Sequence, residues 1–284
     1  ESFFKNEQKV GGFVFSFYLL TTGYFFNIYN IKSNKKKYLI LAISVLFLIS
    51  IILTGERSNA VKAVFAFFIF FYLSKNFFLK EKIILLICAI FAFSLIYSNS
   101  EFVKLRFGKQ LVWKIKSINL NYVVKHFKKD DSTLENQNAD HHRVLGSVYL
   151  QLYSSAYNVF KNYPYFGVGN KNYRVITCPK KTEDWNPDYV CNSHPHQIYL
   201  EFLSEHGIVG STILLVIFFM LIFKILRKRD FKDNNIQLAS LIYLALAFTP
   251  VLPTGSFFND YFATLFWINL SLLYAVNKET NIFK

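Results

Sequence analysis

The sequence predicts an all-α polytopic membrane protein, with about seven transmembrane helices in this chain and one large, partly helical periplasmic loop. Three observations carry this reading. Of the 284 residues 53% are apolar, and they stand in long unbroken runs such as Tyr38–Thr54 and Lys82–Ser98. Such runs have no polar face to turn toward water, which argues against a soluble enzyme, a disordered chain or a disulfide miniprotein. The runs are also close to the length needed to cross a bilayer, roughly 20 residues with a range of about 17–25. Finally, Lys and Arg collect in alternate short loops, the pattern of cytoplasmic retention.

Taken in order, the expected spans are about 11–31, 38–54, 59–74, 82–98, 199–223, 236–252 and 257–276. Their uniform apolarity marks them as helices, since barrel strands alternate. The third is short, and Lys62 near its start has to snorkel. Pro250 and Pro253 mark the end of the sixth. The loop after the first span holds Lys32, Lys35, Lys36 and Lys37; the loop after the third holds Lys75, Lys80 and Lys82. The loop after the fifth holds Lys224, Arg227, Lys228, Arg229 and Lys232, and the tail carries Lys278 and Lys284. The opposite short loops carry Arg57 and, between Pro250 and Asp260, no Lys or Arg. Alternate loops therefore face the cytoplasm. The net charge of +14 and pI near 9.5 follow from this distribution and not from a nucleic-acid surface. The chain starts at Glu1 and its one Met is Met220, so further N-terminal sequence is expected. No signal-peptide pattern is visible.

The stretch 99–196 falls outside, with 14 basic and 8 acidic residues. It dilutes a mean hydropathy of +0.26. The expected division is therefore 1–98 (four spans), 99–196 (outer loop domain) and 197–284 (three spans). Within the loop, Phe102–Lys129 mixes apolar residues with lysines, as in a basic amphipathic helix on the membrane surface. Asp130–Asp140 is polar. Val144–Asn162 reads as a second amphipathic helix, closed by Tyr163-Pro164 and followed by Gly167-Val168-Gly169-Asn170. Cys88 reads as a small core residue of a span. Cys178 and Cys191 share the oxidising side and are expected to pair; two unpaired thiols, or a zinc site with His194 or His196, are the alternatives.

Three clusters could do chemistry. Gly55-Glu56-Arg57-Ser58 ends the second span at the outer face, in a chain with six Arg among 32 basic residues. The planar guanidinium suits phosphate; the plainer reading is an anchor paired with Glu56. Arg143, after His141-His142, precedes a helix start and can join its N–H groups around an anion. The strongest cluster runs from His194 to Gly210, where the outer loop re-enters the membrane. His196 can take a proton from a hydroxyl, and Gln197, Glu201 and Glu205 recur at helical spacing. The plainer reading is that these groups cap and solvate a helix start.

The run His194–Gly210, with His196-Gln197 and Glu205-His206-Gly207-Ile208-Val209-Gly210, resembles the signature of the O-antigen ligase superfamily. Tyr163-Pro164-Tyr165-Phe166-Gly167-Val168-Gly169 resembles its second landmark, and Arg57 at the outer end of a span its third. Gln197 stands where the family has Asn. Family members have about twelve spans, so about five are expected upstream. The resemblance implies a C-class glycosyltransferase-like fold and a metal-independent, inverting enzyme without cofactor. Its donor would be an undecaprenyl-pyrophosphate-linked glycan and its acceptor a lipid A-core hydroxyl, at the periplasmic face of the bacterial inner membrane, with membrane lipid as a partner and no nucleic acid. It implies that Arg57 and Arg143 hold the pyrophosphate and that His196 is catalytic, with His194, Gln197 and Glu201 binding substrate. An O-antigen polymerase or a protein O-oligosaccharyltransferase would use the same donor. A transporter would need charged groups near the midplane, where the sequence places few.

The orientation has a direct test. A cysteine placed at Lys35 should resist labelling from outside intact cells while one at Asn138 reacts; the reverse pattern contradicts the topology.

Overall fold

A computed structural model describes residues 10–28, 34–75, 77–109, 144–179, 186–228, 233–250 and 252–281. The elements in chain order are α1 (Val10–Ile28), α2 (Asn34–Leu53), α3 (Arg57–Leu73), α4 (Leu79–Asn99) and α5 (Glu101–Val103), the last followed by a π-helical turn Lys104–Lys109. Then come α6 (Val144–Asn162), α7 (Tyr173–Thr177), α8 (Ile198–Lys228), α9 (Asn235–Ala247) and α10 (Asp260–Ala275). No strand occurs among the described residues. Each expected span overlaps a helix, although α9 stops at Ala247, short of the expected residue 252. By length and composition two helices can cross a membrane: α2, over Lys36–Leu53, and α8. A third qualifies if α4 and Glu101–Lys109, bent by 99° relative to each other, count as one span. The expected helix over Phe102–Lys129 is described only to Lys109, and Asp130–Asp140 lies outside the described residues.

The chain forms two compact units that are not contiguous in sequence. The first comprises Glu1–Gly108, Phe218–Thr249 and Ala263–Lys284; the second comprises Lys109–Ile217 and Pro250–Phe262. In the first unit α1 packs on α2, α3 and α9. Apolar helices gain little hydrophobic drive against one another in lipid, so close approach and polar ties specify their packing. Gly23 is the point of closest approach: a Cβ there would lie 2.5 Å from the carbonyl oxygen of Asn235. Beside it Asn27 Oδ1 accepts from the backbone N–H (3.2 Å) and Nδ2 (3.1 Å) of Asn235, and Asn234 caps α9 by accepting from Ile236 and Gln237. Thr22 and Ser44 join α1 to α2 at 3.1 Å, and the Ser16 hydroxyl donates to Tyr243 at 3.3 Å. Fully buried Gln237 donates to Leu273 O and Thr280 and accepts from Asn277, which fixes the end of α10.

Lys37, near the start of α2, is buried, with Nζ 2.7 Å from Glu81 Oε1 and 4.8 Å from the centre of the Phe77 ring. Phe77 in turn stacks edge to face with Phe26 and Phe71. The outward faces are apolar too. Ile83, Ile84, Ile87, Ile90 and Phe91 of α4 are exposed, as are Ile213, Ile217, Met220 and Phe223 of α8. Contiguous exposure on this scale suits hydrocarbon and not water. Cys88 lies on that exposed face of α4, not in a core as expected, because a uniformly apolar helix gives no signal of which side turns inward.

The Gly23 contact yields a stability test. Gly23→Leu forces α1 off α9 and should cost about 1–3 kcal/mol, read as a lower melting temperature in detergent; an unchanged melt would show that the helices are not this close.

Candidate functional site

The second unit holds the strongest sequence cluster. α8 starts at Ile198, and Gln197 is its N-cap: its Oε1 accepts from Leu200 N–H at 2.7 Å, a task more often done by Ser or Asn. The other end of the amide is also engaged, Nε2 donating to Pro250 O at 3.0 Å. His196 precedes the cap with φ of 57°, a left-handed conformation rare outside glycine. Its carbonyl accepts from Thr254 N–H at 2.9 Å. The rings of His194 and His196 lie 4.0 Å apart, centre to centre, and the Tyr149 ring of α6 stands edge-on to His196 at 5.9 Å. The Ser193 hydroxyl is 2.9 Å from His194 Nδ1. Pro195 is buried, so the backbone between the two histidines is packed while both rings are half-buried.

One turn further, Glu201 is 1% exposed. Its Oε1 takes the Ser256 hydroxyl and its Oε2 the Phe257 N–H at 2.8 Å. The carboxylate thus holds the loop before α10 against the helix entrance. Phe202 seals this contact, with Phe257 edge-on at 5.1 Å and Phe258 at 5.7 Å. Ties at residues 196, 197 and 201 hold Pro250, Thr254, Ser256 and Phe257 alongside the helix start.

The next turn of α8 is broken. Gly207 has φ of 61° and ψ of −169°, which removes the hydrogen bonds that Ile208 and Val209 would make to Ser204 and Glu205. The segment after α6 replaces all four partners. Ser204 O accepts from Val168 N–H (3.0 Å) and Glu205 O from Gly169 N–H (2.8 Å). Ile208 N–H donates to Pro164 O (2.8 Å) and Val209 N–H to Tyr165 O (3.2 Å). Buried Glu205 adds its Oε2, which accepts from Lys171 N–H at 2.9 Å. The backbones approach so closely that a Cβ on Gly167, itself at φ of 66°, would stand 2.5 Å from Glu205 O. One on Gly207 would stand 2.5 Å from Phe166 N. Both glycine motifs are therefore one interlock.

The second unit also has a small core of its own. Ala156 and Val159 of α6 pack with Tyr173 of α7 and with Tyr189. Burial pushes the Tyr173 hydroxyl up to about 12, so it stays protonated and donates to Ser155 at 3.1 Å. Ser155 in turn accepts from Val190 N–H at 2.9 Å, and Asn162 donates to Tyr189 at 2.6 Å. Cys178 and Cys191 form a disulfide with Cα atoms 4.6 Å apart, within the range such a bond spans. With both thiols bonded to each other, the zinc alternative loses its sulfur ligands. The chain leading into His194 is held on both sides.

His194, His196, Gln197 and Glu201 thus come together in one unit. Glu201, expected to touch substrate, has both oxygens on the loop. Arg57 belongs to the first unit, where it is the first residue of α3. Glu56, the cap residue, accepts from Gly11 N–H at Oε1 (2.8 Å) and from Asn59 Nδ2 at Oε2 (2.5 Å). Arg143 lies outside the described residues. Thr254, Ser256 and Tyr149 were not singled out from the sequence; the one available signal was an uncharged loop between two apolar segments.

The family model described as O-antigen ligase matches residues 42–215, which contain Arg57, the interlock and both histidines. No curated protein matches the chain.

The interlock can be tested through its glycines. Gly207→Ala and Gly167→Ala should each cost at least about 1–2 kcal/mol for the left-handed backbone alone, whereas Gly255→Ala, with nothing within 4 Å of its Cβ, should be close to neutral. Equal melting temperatures for all three variants would contradict it.

Proposed function

Because the chain belongs to the O-antigen ligase family, we propose that it is a glycosyltransferase-like membrane enzyme that moves a glycan from undecaprenyl pyrophosphate to a lipid A-core hydroxyl at the periplasmic face of the inner membrane. The observation that supports this most is the histidine pair at the head of α8, with Tyr149 edge-on and the loop over residues 250–257 tied beside it. Such a setting orients an imidazole before substrate arrives.

In the proposed step, the acceptor hydroxyl attacks the anomeric carbon of the donor glycan and a new glycosidic C–O bond forms. The bond from that carbon to the pyrophosphate oxygen breaks, and its electron pair leaves with the pyrophosphate. The hydroxyl proton passes to a ring nitrogen of His196. Attack from the face opposite the leaving group inverts the anomeric configuration. Arg57 and Arg143 bind the pyrophosphate, whose charge grows as the bond breaks, so the arginines stabilise the transition state more than the ground state. No metal or nucleotide is required. His194 orients His196 or the acceptor. Gln197 and Glu201 act through the backbone: they hold the helix start and its facing loop, and any hold on substrate is indirect.

Transfer from an undecaprenyl-pyrophosphate glycan to rough lipopolysaccharide in proteoliposomes tests this reading. His196→Ala should lose about 100- to 10,000-fold in rate, and His194→Ala less. Arg57→Lys keeps the charge but loses the bidentate fork and should fall about tenfold or more. Near-normal transfer by His196→Ala removes the imidazole from the chemistry; no transfer by the wild-type protein favours a transporter.

A further inference from the structure

α8 changes character at its break. Its 31 residues measure about 45 Å at the rise of an α-helix, against about 30 Å for the hydrocarbon core of a bilayer. Ile198 to Gly207 contains no exposed residue, and it holds Glu201, Ser204, Glu205 and His206. From Ile208 to Phe223 the sequence has no charged residue. Here Ile208, Val209, Ile213, Val216, Ile217 and Met220 are exposed. The helix is thus sheathed by protein before Gly207 and bare and apolar after it. Gly207 to Arg227 covers about 30 Å, which matches the hydrocarbon by itself.

An aromatic turn stands at the same level. Pro164 O and Tyr165 O accept from Ile208 and Val209 N–H at 2.8 and 3.2 Å, so residues 163–166 are fixed beside the first bare turn of α8. The side chains of this turn do not serve the packing. Tyr165 is 68% exposed and Phe166 76%, and Tyr163 is exposed as well. Exposed Lys161, Lys171 and Arg174 flank them in sequence. Lys171 Nζ lies 3.4 Å from Asp260 Oδ1, at the start of α10, after which that helix is apolar too. Aromatic rings with a basic rim are the composition of a membrane–water interface. Amphipathic rings settle there at headgroup level, and Lys and Arg are drawn to anionic lipid.

We propose that Tyr163, Tyr165 and Phe166 form a membrane-interface anchor, which seats in the boundary between headgroups and acyl chains and fixes the depth of α8 at Gly207. The interlock then has a second use. The main-chain bonds that repair the broken helix also hold the anchor rigid, so the aromatic turn sets how deep the second unit sits. Ile198–His206, with the histidine pair at its head, stays outside the hydrocarbon, and so do the carboxylates of Glu201 and Glu205. The partner is the phospholipid of the surrounding bilayer. The anchor adjoins the bare face of α8, which meets hydrocarbon, so one lipid boundary covers both. A second copy of this chain, or a polyprenyl chain seated on the turn, is the competing occupant. The proposal is independent of the donor and acceptor assigned under the proposed function.

The test uses the full protein, with Cys88→Ser, in nanodiscs of phosphatidylcholine and phosphatidylglycerol. Spin labels at Phe166→Cys, Val209→Cys and Val216→Cys report depth through collisions with oxygen and with a water-soluble nickel chelate. The labels at 166 and 209 should read within about 5 Å of each other, one helical turn, near the headgroups. The label at 216 should read about 10 Å deeper, seven residues down the helix. Benzoylphenylalanine at position 166 should cross-link to phospholipid. Tyr165→Ser combined with Phe166→Ser should shift the 209 label by about 3 Å or more, two residues of helix rise. Its melting temperature in detergent should stay at the wild-type value, since neither side chain packs. A 166 label as open to the nickel chelate as one on an unfolded peptide overturns the anchor. So does a cross-link to a second copy or to a co-purified polyprenyl lipid in place of phospholipid, or an unmoved 209 label in the serine variant.

Discussion

The break in α8 at Gly207 is the constraint on which the second unit depends. A helix that loses two consecutive backbone hydrogen bonds leaves two carbonyls and two N–H groups to satisfy, and each would cost about 1–3 kcal/mol if buried unmet. The chain meets all four with one segment, Pro164–Gly169, whose own backbone needs partners as it leaves α6. The exchange fixes α6 against α8 through main chain alone. Side-chain identity matters little there, except that Gly167 and Gly207 must lack a Cβ. Since α6 also supplies Tyr149 and α8 starts at the histidines, the interlock sets how that ring meets His196.

Two buried carboxylates extend the same logic. Glu205 ties α8 to the backbone at Lys171, and Glu201, one turn earlier on the same side, ties it to Ser256 and Phe257. Among the described residues neither acid forms a salt bridge; each is held by donors from backbone or hydroxyl, and the Lys171 charge also favours the Glu205 carboxylate. They hold the helix start and its neighbours in place, and the half-buried rings of His194 and His196 are the side chains beside them.

Much of this was legible in the sequence. The apolar runs are helical, as their uniform apolarity without strand-like alternation predicts. The bounds of α6, Val144–Asn162, follow from an amphipathic pattern stopped by Tyr163-Pro164. The end of α9 before Pro250 follows from the same rule. Other features were not legible. The Glu205–Gly210 run reads as uninterrupted helix, since the replacement of its hydrogen bonds comes from a segment about 40 residues away that no local pattern reveals. Glu201 reads as a substrate ligand because its partner is the loop over residues 250–257, which carries no charge to announce it. Cys88, exposed, and Lys62, buried, show the limit of a uniform helix: composition places them in a span, but not on a side.

The claim that a backbone exchange at Gly207 organises the site is tested most directly by hydrogen–deuterium exchange of the protein in nanodiscs. The amides of Val168, Gly169, Ile208 and Val209 belong to one cooperative set, so peptides covering residues 164–170 and 205–210 should be protected to a similar degree and lose protection together under mild destabilisation. Exchange of 164–170 at the rate of a free loop, with 205–210 still protected as ordinary helix, would contradict it.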